Sequence, residues 1–112
     1  MSPARFEALV EDALDEVPPA LMAMLDNVVV LIEDRDPHEP TLLGVYDGIA
    51  LSERLSDYSF ALPDRIVIYR GALLQLCADE DELREEVTIT VVHEIAHHFG
   101  IDDHALHELG WS

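Results

Sequence analysis

Apolar side chains recur at Phe6, Leu9, Val10, Ala13, Leu14 and Val17, three and four positions apart, the repeat of a helix that buries one face. Ser2 followed by Pro3 supplies its start, a capping hydroxyl ahead of a proline whose missing N–H costs nothing at the first helical position. Pro18 and Pro19 end it. A short second helix is expected over 19–25. The pattern then changes to VVVLI at 28–32, too short for a helix and rich in β-branched residues, which predicts a buried strand. Pro37 and Pro40 make 34–40 a loop. TLLGVY at 41–46 and RIVIY at 65–69 read as two further strands, joined by a mixed, lid-like stretch over 47–64.

From Ala72 to Phe99 there is neither glycine nor proline, so one or two helices fit, with a break near Ala78 and Asp79. Asp79 with Glu82 three residues later resembles a capping box, and the acids that follow suit the positive end of a helix dipole. Residues 87–92, VTITVV, argue the other way, because six β-branched residues in a row favour a strand by propensity. Helix is the better reading. Propensity differences are a few tenths of a kcal/mol per residue, about the size that burial overrides, and the chemistry of the next residues requires a helix. Gly100 stands where a left-handed C-cap belongs, and Asp102 or Asp103 can cap a last short helix toward Leu109.

A chain of 112 residues holds one core, so 1–112 reads as a single domain of α+β class. No apolar run approaches the roughly 20 residues of a membrane span. The N-terminal segment MSPARFEALVEDAL has acids in every turn and reads as neither signal nor transit peptide, which makes the cytoplasm the expected location. The net charge of −18, from 24 acids against six arginines, repels phosphate backbones, so nucleic acid is not an expected partner. The acidity itself fits a solvated surface, attraction of basic peptides, or adaptation to salt. Cys77, the single cysteine, reads as buried filler.

Residues 93–97 are HEIAH. On a helix, positions i and i+4 share a face, so His93 and His97 can hold one zinc ion at about 2.0–2.1 Å, while Glu94 projects about 100° away. Glu94 is thereby a general base for a water on the ion rather than a ligand, which is the arrangement for hydrolysing a peptide bond. His98 points off that face and reads as a packed or hydrogen-bonded side chain, His107 likewise or as an orienting partner, and His38 as surface.

The motif continues as HExxHxxG with Asp103 three residues after Gly100. Here the sequence resembles the zincin metallopeptidases, specifically the HExxHxxGxxD subset, and the small single-domain actinobacterial type that carries a segment like LPDRIVIYRG upstream and a terminal HELGW. The resemblance implies a minimal zincin-like fold, a small mixed sheet packed on an N-terminal helix and the HExxH helix. It implies His93, His97 and Asp103 as zinc ligands, Glu94 as base and Gly100 as the turn. His104 is the alternative third ligand, because imidazole is also a good zinc donor. Metzincin relatives have a methionine turn under the metal, whereas Met1, Met22 and Met24 are all N-terminal. The nine residues after Asp103 supply no lower wall for a cleft. Two expectations follow: a zinc peptidase acting on a peptide or protein substrate, or a zinc-binding domain without activity of its own, completed by a protein partner or serving as an interaction module.

Overall fold

A computed structural model of the chain describes residues 1–25, 28–48 and 63–108. Helix α1 spans Pro3–Asp15, with Ser2 Oγ accepting from the Arg5 N–H at 3.1 Å and Phe6, Leu9, Val10 and Ala13 on its buried face. Helix α2, Pro19–Met22, is a single turn, shorter than its pattern suggested. Its continuation is held by the bonds Met24 N–H to Leu21 O and Leu25 N–H to Met22 O, which reach back three residues and not four, so the chain tightens out of the α-helix.

The sheet has strands β1 (Val28–Glu33), β2 (Gly44–Asp47) and β3 (Asp64–Tyr69) in the order β1-β3-β2. β1 runs parallel to β3, pairing Val30 with Ile66, and β2 runs antiparallel to it, pairing Val45 with Val67. Two strand expectations need correction. β2 begins at Gly44, because Leu42 N–H bonds Glu39 O at 3.0 Å in a turn that holds Thr41 and Leu42 off the ladder. β1 is not buried on both faces. It is the edge of a three-stranded sheet, and Val29 and Leu31 remain 39% and 40% exposed while Val28, Val30 and Ile32 face the core. Most of the lid-like stretch falls at 49–62, outside the described residues.

After β3 the chain turns into α3 (Arg70–Leu76), breaks at Cys77 to Asp79, and enters α4 (Glu80–His98). Asp79 Oδ1 accepts from the Glu82 N–H at 2.8 Å, and Glu80, Asp81 and Glu82 fill the first turn. The β-branched run is helical. Val87, Thr88, Val91 and Val92 are buried, because α4 lies between α1 and the sheet and has apolar neighbours on most sides. Thr88 offers its hydroxyl to Arg84 O at 3.0 Å and Ala13 O at 3.2 Å, so its only polar group stays satisfied inside the core.

Phe6, Leu9, Leu21, Ile66, Ile68, Leu83 and Ile95 form the centre of that core. Burying each such side chain is worth about 1.5–3 kcal/mol. The other sheet face carries a smaller cluster, Val67, Tyr69 and Ala72 with Leu42, Leu43 and Val45 against it. Cys77 is half-buried rather than fully enclosed. No helix among the described residues is long and apolar enough to cross a membrane. The architecture is thus the α+β arrangement expected: a small mixed sheet against an N-terminal helix and the HExxH helix.

Candidate metal centre

The last two turns of α4 bury Val92, Ile95 and Ala96, which fixes the helix's rotation and turns His93, Glu94 and His97 toward its open side. The imidazoles of His93 and His97 have ring centroids 6.1 Å apart, with planes 29° from parallel. Two imidazoles sharing one tetrahedral zinc ion have their centroids about 5 Å apart. The pair is therefore within a side-chain rotation of a common ion, and its donor chemistry fits zinc.

Glu94 is much less exposed than His97, at 22% against 66% for the side chains, and its Oε2 lies 3.7 Å from His97 Nδ1. Burial pushes the Glu94 carboxyl above the usual carboxylate range, against the opposing pull of His97 and His93. A carboxylate so placed holds a proton more readily than one in water, the property a general base needs in order to accept and then pass one on.

Gly100 ends α4 with φ +71°. Its N–H bonds His97 O at 3.2 Å and the Ile101 N–H bonds Ala96 O at 2.7 Å, the paired closure of a Schellman turn, with Ile101 packed against the core. A Cβ on Gly100 would meet nothing within 4 Å. Glycine is thus needed there for its backbone conformation and not for space. The turn leads directly into α5 (Asp103–Glu108). Asp102 is its cap, Oδ1 accepting from the Ala105 N–H at 2.8 Å, so of the two adjacent aspartates Asp102 is committed to the backbone and Asp103 opens the helix. His104 turns along α5, with Nε2 3.3 Å from Glu108 Oε1 and its side chain 82% exposed. Among the residues whose side chains the structure describes, a set that leaves out Asp103, no third His, Cys, Asp or Glu joins His93 and His97 in a metal-binding group.

Four residues around the site, Tyr46, Phe99, Gly44 and Glu86, were not singled out by the sequence. Tyr46 of β2 stacks on His98 with centroids 3.9 Å apart and planes 19° from parallel, Phe99 meets His98 edge-on at 4.9 Å, and Tyr46 donates its hydroxyl to Asp64 Oδ2 at 2.8 Å. His98 is thereby a packed side chain, as its offset from the His93/His97 face suggested. Gly44 lets β2 approach α4, since a Cβ there would stand 2.8 Å from Thr90 Cγ2 and 3.0 Å from Val67 O. A lone glycine inside a strand pattern is the signal for such an approach. Between 41–44 and α4 runs an open groove of about 380 Å³, with His93 and Glu94 at one end and Glu86 two turns back along the helix. Glu86 had no signal of its own, being one acid in a run of acids.

A model of the zincin-like metallopeptidase family matches residues 25–111. That is most of the chain, and the chain belongs to this family, whose members generally bind zinc. Its fold is similar to that of a solved structure, a conserved hypothetical protein from Thermo thermophilus, at 28% identity and a TM-score of 0.61 over 88% of this chain and 94% of that one. No curated protein matches the chain significantly.

Proposed function

We propose that this protein is a zinc-dependent peptidase of the HExxHxxGxxD subset, of the small actinobacterial type, that hydrolyses peptide bonds with Glu94 as general base. The observation that carries the reading is the half-buried Glu94 carboxylate 3.7 Å from His97, beside two imidazoles within a side-chain rotation of one ion, at the end of an open groove. His93 and His97 would hold the zinc, with Asp103 as third ligand and His104 as the alternative. Bound there, zinc supplies Lewis acidity, polarising a carbonyl and acidifying a water. Glu94 takes the proton of the attacking water and returns it to the leaving amine, and its raised proton affinity suits both transfers. Among the described residues β2 is a sheet edge beside the groove, able to hold an extended peptide by main-chain bonds. Leu42, Leu43 and Ile89 favour apolar side chains in it, and Glu86 favours a basic one at its far end.

The second reading, a zinc-binding domain completed by a partner, is favoured by the openness of the groove, which among the described residues has walls from 41–44 and α4. Digestion of a broad peptide library by zinc-loaded protein, with a chelator control, separates the two. Glu94→Ala should lose roughly 10²–10⁴ in rate while keeping its zinc. Equal turnover by both proteins would remove Glu94 from the reaction, and no turnover by either would leave the second reading.

A further inference from the structure

The sheet edge farthest from the candidate metal centre is built unlike an edge meant to stay bare. Among the described residues β1 bonds only to β3, so its outer ladder of N–H and C=O groups is open. Soluble proteins blunt such edges with charge, proline or a bulge. In β1 only the last residue, Glu33, is charged and there is no proline, and Val29 and Leu31 stand well exposed.

Alongside this edge α1 presents a stripe at helical spacing, and a groove of about 630 Å³ lies between the two. Val10 and Leu14 of α1 and Val30 and Ile32 of β1 supply apolar lining. Glu7, Glu11, Glu33 and Asp34 add four carboxylates against the single guanidinium of Arg70. We propose that the β1 edge and this groove dock an extended basic segment of a partner protein, added to the sheet as a fourth strand.

Each part of the site selects one property of that segment. The open ladder takes an extended backbone. Side chains alternate across a strand, so every second residue would face the α1 side. There lysine or arginine can lay its stem on Val30 and Ile32 and reach Glu7 and Glu11. The residues between lie beside exposed Val29 and Leu31 and call for apolar side chains. A second copy of this chain is the poorer occupant, because it carries a net charge of −18 and the same acidic groove. The surface lies across β3 from β2, and its use does not depend on the metal centre.

The test is fluorescence anisotropy of the full-length protein with a capped, labelled peptide of alternating lysine and valine, about six residues long to match β1. Saturable micromolar binding is expected, weakened at least roughly tenfold by Leu31→Lys, by Glu11→Lys, and by N-methylation of alternate peptide amides. N-methylation removes the strand's donors and keeps its charge. Glu11→Lys lies on the exposed face of α1, so it tests the groove without touching the sheet. An N-methylated peptide that binds as tightly would reduce the effect to adhesion on an acidic surface and overturn the proposal. So would the absence of binding, or a dimer in sedimentation that Leu31→Lys dissolves, which would put a second copy on this edge.

Discussion

The ring of Tyr46 lies flat on the imidazole of His98, 3.9 Å between centroids, and ties the edge strand β2 to the helix that carries His93 and His97. The tyrosine is anchored at its other end by the hydroxyl bond to Asp64. Tyr46→Phe should cost about 1 kcal/mol, the net worth of a hydrogen bond. Tyr46→Ala should cost about 2 kcal/mol or more, through the lost stack and contact area. Urea denaturation of the two variants measures both, and equal losses would mean that the ring contributes nothing beyond its hydroxyl.

Gly100→Ala should destabilise the protein by about 1–2 kcal/mol, the cost of holding a side-chain residue in the left-handed region. With no atom within 4 Å of the added Cβ, the loss is one of backbone strain alone. Gly100→Asn should then lose less, since asparagine tolerates that conformation. A clash would instead make the larger asparagine the worse variant.

Zinc reconstitution at neutral pH should give one ion per chain by elemental analysis. Asp103→Ala should weaken zinc binding at least roughly tenfold in competition with a chromophoric chelator, as loss of a direct ligand would. His104→Ala should change it much less, its imidazole being engaged with Glu108. The reverse ranking would move the third ligand to His104. Acid should release the metal, because protonated histidine cannot ligate.

Asp36 gives a pH dependence that is independent of the metal. Its Oδ1 accepts from the Glu39 and His38 N–H groups at 2.9 and 2.8 Å, and Oδ2 accepts from the Tyr69 hydroxyl at 3.2 Å. The two backbone bonds, foremost that from Glu39, hold its carboxyl below the usual range. A depressed folded-state pKa adds stability that is present above the unfolded value and lost as the pH falls through the folded one. Wild type should therefore exceed Asp36→Asn in stability at neutral pH, and the gap should close below about pH 4. A gap that persists in acid would assign the difference to packing.

The local framework was legible in the sequence wherever a rule acts within a few residues. Ser2 and Asp79 cap the helices they precede, the prolines at 18 and 19 divide α1 from α2, and Gly100 closes α4, because caps and turns are satisfied by neighbours in the chain. The conflict over 87–92 went to helix because the tertiary surroundings of α4 bury those side chains, which no propensity scale includes. The ends of β2 and the exposure of β1 were misread for a related reason. Strand limits depend on which partner is alongside, and an apolar run reads the same at the centre of a sheet as at its edge.

Residue identity and spacing suggest the chemistry that is proposed, and they place His93 and His97 on one helical face with Glu94 off it. Helical spacing converts directly into geometry, so a motif within one helix is complete in one dimension. Packing in three dimensions set how far Glu94 is withdrawn from water, braced His98 with Tyr46, admitted β2 against α4 at Gly44, and made Asp102 rather than Asp103 the cap of α5. Except for the cap, these are contacts between elements far apart in the chain. The cap depends on how the turn at Gly100 directs one of two chemically identical neighbours into the helix, a matter of backbone direction that residue identity does not encode.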